Sequence, residues 1–265
     1  MTNMDQDVSA NETPPAPRKP RIALMGEFSA GKSTLSNLLL EDRALPEKVT
    51  ATRLSPVWIT YGTEPAYRED IDGTTEPVSI DDIESIPVFD TRAIHVSMPS
   101  EILGICDIID MPGISDPNMS PEVWQRVLPE VDAILWCTHA TQAWRQSEAA
   151  VWETIPEEIQ QKSLLVVTRF DKLKTENDRK RVLRRIKMEV KDTFRNIFPM
   201  ALIEALASRN EPEKWKTSGA DAFTNELIDV VFEIAEKTGF VPKPAPAKVT
   251  VRRVRARNSA AIRSV

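Results

Sequence analysis

The stretch GEFSAGKST, residues 26–34, carries glycine, lysine and serine at a spacing that suits phosphate binding. Gly26 and Gly31 let the backbone curl so that its amides point at phosphate oxygens, and Lys32 brings a positive charge to the terminal phosphates. The hydroxyl of Ser33 is a ligand for Mg²⁺. Because a short apolar run precedes the stretch and a helical pattern follows it, the motif predicts a loop that binds a nucleoside triphosphate.

A second motif, DMPG at residues 110–113, comes directly after the mostly apolar run ICDII. Asp110 would hold Mg²⁺ through a water molecule, and the amide of Gly113 would contact the terminal phosphate. Short patterns of this kind recur freely, but here the motif follows a strand in a chain that also has the phosphate-binding loop. The two motifs together predict a single site for magnesium and a triphosphate.

The third motif, TRFD at residues 168–171, concerns the identity of the base. The Asp171 carboxylate can accept hydrogen bonds from both the ring N–H and the exocyclic amine of guanine, and adenine has no equivalent pair of donors. Related motifs usually carry lysine where this sequence has Arg169. Its planar guanidinium could stack on the base in a similar way, although the two side chains are not equivalent. The motif favours GTP over ATP.

These motifs must be positioned by a sheet, and the alternation of apolar runs with helical periods predicts an α/β fold. We expect strands at residues 22–25, 56–61, 93–98, 102–109, 133–137, 164–168 and 201–207. The clearest helices are expected at 177–197, where apolar residues recur at three- and four-residue steps, and at 221–237. The acidic, turn-rich stretch 63–93 is interpreted as an insertion on the core.

The last expected strand, 201–207, should also end near the base, where GTPases often show a Ser-Ala pair. Glu204 and Ala205 are the nearest match in this sequence and are our candidates for that contact. Ala207 with Ser208 is the alternative register.

The composition indicates a globular domain with two tail-like ends. The chain has 265 residues, of which 41% are hydrophobic, and this is enough for a real core. We assign residues 1–19 and 241–265 to disordered tails and residues 20–240 to the GTPase domain, because few residues in the ends could be buried. With no leader-like or membrane-spanning segment we expect a cytoplasmic protein, in which Cys106 and Cys137 are buried thiols.

The charge is distributed unevenly along the chain. Residues 243–265 carry seven basic and no acidic residues, which leaves 27 of the 34 basic residues against all 40 acidic ones. The body is therefore strongly acidic and is not expected to bind nucleic acid. The basic tail has three readings: a disordered solubilising segment, a segment that docks on anionic lipid with about 1 kcal/mol per cation, or an RNA-binding segment.

Taken together, residues 21–207 resemble the GTPase domain of the dynamin superfamily. GEFSAGKSTLSNLLL is similar to the bacterial dynamin-like phosphate loop, and VSMPSEILGICDIIDMPG is similar to the family's strand, turn and second switch. LPEKVTATRLSPVWITYG looks like the first switch, in which a threonine closes over Mg²⁺; Thr52 is our match and Thr50 the alternate. ATQAWRQSE resembles the segment after the fourth strand.

The resemblance implies a P-loop NTPase fold of the α/β class, a three-layer sandwich around a mostly parallel sheet with an insertion between the switch regions. It implies that the chain hydrolyses GTP to GDP and phosphate with Lys32, Ser29 and Thr52 in catalysis. Ser33, Thr52 and Asp110 would hold Mg²⁺. The implied nucleotide contacts are Gly26, Ser29, Ala30, Gly31, Lys32, Ser33, Thr34, Gly113, Thr168, Arg169, Asp171, Glu204 and Ala205.

The same resemblance implies how the reaction would be completed. Ile114 follows Gly113, so no side chain at that position can orient water. In the family a loop serine, matched by Ser29, helps to hold a monovalent cation, K⁺ or Na⁺, and pairing of two GTPase domains completes the site. The partner would be a second copy or a related dynamin-like protein, at the inner face of a membrane.

One departure from the family leaves alternatives open. Membrane-remodelling members carry a long helical stalk after the GTPase domain, and this sequence has nearly ended by Phe240. Either a partner subunit supplies the mechanical part, or the chain is a nucleotide-regulated binding module in which hydrolysis is incidental. A ribosome-assembly GTPase is disfavoured by the loop sequence, and an ATP-dependent enzyme by Asp171.

Overall fold

The apolar runs of the sequence pair into one sheet. The structure is a computed structural model, and it describes residues 16–41, 55–115 and 120–242. Within these ranges the strands are β1 (Arg21–Gly26), β2 (Val57–Thr60), β3 (Tyr67–Asp70), β4 (Thr75–Pro77), β5 (Thr91–Ser97), β6 (Asp107–Asp110), β7 (Ala133–His139), β8 (Leu164–Thr168) and β9 (Asn196–Pro199).

Helices lie between the strands and cover the sheet. In the same described ranges they are α1 (Lys32–Leu39), α2 (Glu122–Gln125), α3 (Gln146–Trp152), α4 (Glu157–Gln160), α5 (Glu176–Val190), α6 (Leu202–Ala207), α7 (Pro212–Thr217) and α8 (Ala220–Lys237). None of these helices is long and apolar enough to cross a membrane.

The strand order is β4-β3-β5-β2-β6-β1-β7-β8-β9. Strands β6, β1, β7, β8 and β9 pair in parallel, whereas β2 runs antiparallel to β6 and β3 runs antiparallel to β5. The carboxyl ends of five neighbouring strands therefore meet at one edge, which is where ligands bind in open α/β sheets. The predicted fold class, with its mostly parallel sheet, is confirmed.

Apolar side chains fill both faces of the sheet and make three layers. On one face Leu35 of α1 and Phe223 of α8 belong to a core that is closed to solvent. On the other face the indole of Trp152 stacks on the ring of Phe194 at 3.9 Å and meets Trp136 edge-on at 5.3 Å. Each aromatic pair adds about 0.5–1.5 kcal/mol beyond the area it buries. Both faces of the sheet that carries the carboxyl edge are therefore packed.

The acidic stretch 63–93 adds strands to the sheet. Strand β3 pairs with β5, β4 pairs with β3, and both continue the sheet beyond the core strands. The side chain of Arg68, on β3, is buried and forms ion pairs with Asp70, Glu76 and Asp90. One arginine thus neutralises part of the acidic charge that the sequence concentrates here.

The strand predicted for residues 201–207 is wrong, because Leu202–Ala207 forms helix α6. Its sequence, LIEALA, consists almost entirely of strong helix formers, and a short apolar run has no periodicity that separates a strand from a helix. The ninth strand instead comes from Asn196–Pro199, the end of the predicted helix 177–197. Helix α5 stops at Val190 because the next residue, Lys191, takes a positive φ of 47°. The expected strand at 102–109 begins only at Asp107.

Both ends of the described chain lie against the amino-terminal side of the sheet. The Arg18 guanidinium forms an ion pair of 2.7 Å with Asp132, and the Lys19 ammonium pairs with Asp107. The Thr238 hydroxyl, at the end of α8, donates to the Arg18 carbonyl at 2.8 Å. Residues 16–19 of the expected amino-terminal tail are therefore held on the domain. Residues 1–15 and 243–265 lie outside the described ranges, so the domain boundaries stay a prediction.

Candidate functional site

The loop between β1 and α1 has the curled backbone that its glycines predict. Gly26 takes φ 141°, and a Cβ there would lie 2.2 Å from the Cys137 carbonyl oxygen, so only glycine fits. Gly31 has φ 99° and Ser29 has φ 58°, both in the left-handed region. Successive left- and right-handed residues make a concave row of amides, which is a site for an anion. Cys137 and Cys106 are free and buried, as predicted.

Lys32 points its ammonium group back into this loop. Its Nζ donates to the Gly26 carbonyl at 3.1 Å and to the Glu27 carbonyl at 3.0 Å. Burial lowers the pKa of Lys32, and the negative charge of Asp110 partly opposes that shift. The lysine has neutral acceptors here, so a phosphate would supply the counter-charge that the loop does not.

Asp110 ends β6, directly beside the phosphate loop that follows β1. Burial raises the pKa of its carboxyl to about 6, against the attraction of Lys32. Among the described residues no hydrogen-bond donor reaches this carboxylate, and it forms no ion pair. A partly buried carboxylate without a donor fits a divalent cation, which is what the sequence assigned to it. Ser33, the expected second ligand, is partly buried at the start of α1.

The segment after β6 folds over the outer arm of the phosphate loop. A Cβ on Gly113 would lie 3.2 Å from the Phe28 nitrogen, so the two backbones are in close contact. The Ile114 amide donates to the Gly26 carbonyl at 3.2 Å, and the Phe28 amide donates to the Ser115 hydroxyl at 3.0 Å. Gly113 is therefore next to the loop, where a terminal phosphate would be contacted.

The TRFD motif reaches the inner arm of the same loop. The buried Thr168 hydroxyl donates to the Ala30 carbonyl at 2.7 Å. The Arg169 Nη2 donates to the Ser29 carbonyl at 3.1 Å. The backbone of Arg169 has a φ of 52°, which is in the left-handed region. Asp171 lies two residues after Arg169, in the 3₁₀ turn Phe170–Lys172. Motifs separated by more than 130 residues thus meet through direct hydrogen bonds.

Two of the expected site residues stand apart from this constellation, and a third cannot be placed. Thr52, with its alternate Thr50, lies outside the described residues. Glu204 and Ala205 were chosen as the end of a strand, and the structure places them in helix α6, where Glu204 is exposed and Ala205 is fully buried. Leu202 lies beside the loop instead: a Cβ added at Gly31 would be 3.4 Å from its side chain. The premise for both residues is corrected, because the sheet strand ends earlier, at Pro199.

Sequence analysis gave no role to four residues around the loop: Glu27, Arg145, Ser147 and Ser115. The Glu27 carboxylate accepts hydrogen bonds from Arg145 and Ser147, and Ser115 accepts from Phe28. Glu27 occupies a variable position of the loop motif, and its partners, Arg145 and Ser147, lie more than 100 residues further along the chain. No local sequence pattern therefore predicts these contacts. The signal in the sequence was the stretch ATQAWRQSE after β7, which resembles a segment of the family and contains both Arg145 and Ser147.

With this geometry described, the chain can be compared with known proteins. The sequence model of the Dynamin family matches residues 22–170, more than half of the chain. The chain belongs to the dynamin family. This match covers the phosphate loop, the DMPG motif and most of the TRFD motif.

Individual relatives agree with the family. Dynamin-like protein 2 of Campylobacter jejuni is 24% identical over 163 residues, which is 58% of this chain and 26% of that protein. A structure from an oligomerised bacterial dynamin pair, studied for long-range sensing and tethering of membranes, superposes with a TM-score of 0.62 at 19% identity, over 83% of this chain and 46% of its own. A second structure of such a pair gives 0.56, over 83% of this chain and 36% of its own. This chain spans less than half the length of each.

Asp110→Asn should stabilise the chain in the absence of nucleotide and metal. The pKa of this carboxyl is about 6 in the folded chain, which is above its value in the unfolded chain. The fold therefore loses stability as the pH rises from the unfolded pKa to the folded pKa, and the ionised group destabilises the fold at neutral pH. Removing that charge should raise the free energy of unfolding by about 1–3 kcal/mol at pH 7.5 and by less at pH 5. Denaturant unfolding in a chelator measures this.

The matched control for this substitution lies at the other end of β6. Asp107 pairs with Lys19 and accepts from Trp58 and Thr60, so Asp107→Asn should destabilise the chain. If Asp110→Asn lowered stability at pH 7.5 as much as Asp107→Asn, the conclusion that the ionised Asp110 destabilises the fold would be wrong.

Proposed function

We propose that the chain binds GTP with Mg²⁺ and hydrolyses it to GDP and phosphate. One observation carries the proposal: the phosphate loop, the Asp110–Gly113 segment and the TRFD motif meet at the carboxyl ends of β1, β6 and β8. Membership of a family of dynamin-like GTPases supports GTP binding and hydrolysis in general. The chain spans only part of its relatives, so the activity of the whole protein is part of this proposal.

Each residue would have a separate task. The loop amides and Lys32 would hold the β- and γ-phosphates, and Ser33 and Asp110 would hold Mg²⁺, with Thr52 as the expected further ligand. The metal supplies charge neutralisation on the phosphates when it is bound. Gly113 would contact the γ-phosphate, and Asp171 would accept from the guanine edge while Arg169 lies across the base. The carboxylate makes the choice between guanine and adenine.

Hydrolysis by a single domain should be slow, because the position after Gly113 is an isoleucine. We propose that a second GTPase domain, from another copy or from a related dynamin-like protein, completes the site, and that Ser29 helps to hold K⁺ or Na⁺. The exposure of Phe28, 54%, supports this: a large apolar side chain stands in solvent at the mouth of the phosphate loop. The oligomerised bacterial dynamin pair is a relative that assembles.

A second candidate function is a nucleotide-regulated binding module. The hydrogen bonds from Ile114 to Gly26 and from Phe28 to Ser115 tie the segment after β6 to the phosphate loop. A γ-phosphate contacting Gly113 would change these bonds and expose or cover a partner surface without turnover. The two candidates share the binding site and differ in the reaction.

The first test is base selectivity. GTP should bind far more tightly than ATP, and Asp171→Asn should reduce the ratio of the two affinities by about 10- to 100-fold, because two hydrogen bonds to a charged acceptor are altered. Isothermal titration with both nucleotides measures the ratio. Asp192→Asn, an exposed carboxylate beyond α5, should leave it unchanged. Equal affinity of the parent for ATP would end the GTPase proposal.

The second test separates hydrolysis by pairing from the binding module. Turnover per molecule should increase with protein concentration and with K⁺, compared at constant ionic strength with a bulky organic cation, and Ser29→Ala should abolish the K⁺ effect. Phosphate release under multiple turnover is the measurement. Turnover that is flat in both variables would favour the binding module.

The third test addresses membrane association through the basic tail. We propose that residues 243–265 bind anionic lipid, because seven basic residues stand there without an acidic one. Removing these residues should reduce co-sedimentation with vesicles that contain phosphatidylserine, and raised salt should weaken binding of the full chain. Neutral vesicles are the control. Unchanged sedimentation of the shortened chain would exclude the tail from membrane binding.

A further inference from the structure

A carboxylate stands inside the phosphate loop, where the expected ligand is an anion. Glu27 is the second residue of the loop and is only 9% exposed. Its Oε2 accepts a hydrogen bond of 2.9 Å from Arg145 Nη1, and its Oε1 accepts one from the Ser147 hydroxyl. A buried carboxylate left unpaired at this place would repel a triphosphate, so its partners bear directly on nucleotide binding.

The backbone of the same residue holds the phosphate-binding lysine. The Glu27 carbonyl accepts from the Lys32 ammonium at 3.0 Å and from the Ala30 amide at 3.2 Å. The Glu27 side chain and backbone thus connect two groups: the segment that carries Arg145, and the ammonium that would meet the phosphates.

The segment that carries these partners is itself fixed by a second buried carboxylate. Glu148, 2% exposed, accepts from the Arg145 amide at 2.9 Å, from the Trp136 indole at 3.0 Å and from the Thr138 hydroxyl at 3.1 Å. The Trp144 amide donates to the same Thr138 oxygen. Arg145 is therefore presented to the loop by the start of α3, which is fixed to β7.

We propose that Arg145 and Ser147 are positioning residues of the phosphate site. Arg145 neutralises the Glu27 carboxylate, and the Ser147 hydroxyl helps to fix the orientation of that side chain. This inference rests on the proposed nucleotide binding and adds residues to it that lie outside the motifs. The two partners act through Glu27, so their effect must depend on whether that carboxylate is present.

Because the partners act through Glu27, Arg145→Ala and Glu27→Gln should have unequal effects on nucleotide affinity. In Arg145→Ala a negative charge stays beside the phosphates without its arginine partner, whereas in Glu27→Gln the charge is gone and the amide oxygen still accepts from Ser147. Arg145→Ala should therefore weaken GDP and GTP binding by about 10- to 100-fold, and Glu27→Gln by about threefold or less. The double variant should bind nucleotide as Glu27→Gln does, because Glu27→Gln removes the charge that Arg145→Ala leaves without its partner.

The experiment measures the dissociation constants of GDP and GTP for the full chain and these three variants, by fluorescence of a labelled nucleotide. Thermal unfolding of each nucleotide-free variant is recorded alongside, and kcat and KM are separated by turnover. KM should carry the loss in Arg145→Ala, because the ground state of the bound nucleotide is affected. The matched control is Arg195→Ala, which removes the partner of Glu226 and Glu233 near the amino end of β9. It should leave affinity unchanged.

Recovery of affinity in the double variant supports the proposal. Equal losses in Arg145→Ala and the double variant, parallel to their loss of thermal stability, would mean a merely structural role and would overturn it. Arg145→Gln replaces Arg145→Ala in the same cycle if the alanine variant does not fold. A parent that bound neither nucleotide would defeat the proposed function, whereas a parent that bound both with Arg145→Ala unaffected would defeat this inference alone.

Discussion

The candidate site is organised around two opposite charges that attract each other without forming an ion pair. The Lys32 ammonium, at the start of α1, and the Asp110 carboxylate, at the end of β6, are both partly buried. Burial lowers the pKa of Lys32 and raises the pKa of Asp110, so it favours the neutral form of each group. Such groups gain most from a ligand that brings its own charges, because electrostatic interactions strengthen as water is excluded. A phosphate complexed with a divalent cation supplies one partner for each.

The phosphate loop keeps this arrangement because three strand ends contact it. The segment after β6 meets its outer arm at Phe28, the end of β8 meets its inner arm at Ala30, and the segment after β7 meets it at Glu27. Parallel neighbours in one sheet are what bring these segments together. A loop held from three sides needs little rearrangement to bind its ligand, which is the basis of electrostatic preorganisation.

Much of the fold and the phosphate loop could be predicted from the sequence, and the wrong predictions have physical causes. The strands that precede the motifs were predictable because buried parallel strands are continuous apolar runs. Helix α6 and strand β9 were exchanged, because ALIEALA is apolar enough for either and only pairing with β8 decides. The expectation that Glu204 and Ala205 end a strand was wrong for the same reason. Local sequence does not record which segment finds a free sheet edge.

By itself the sequence determined the chemistry that depends on neighbours in the chain. Curled backbone at Gly26 and Gly31, with lysine and serine following at once, is a local property, and so is a carboxylate at the end of an apolar strand. Only the tertiary structure decided how Glu27 is neutralised, since Arg145 reaches it across 118 residues. Distant pairs form where packing of the whole sheet leaves them adjacent, and no spacing along the chain encodes that distance.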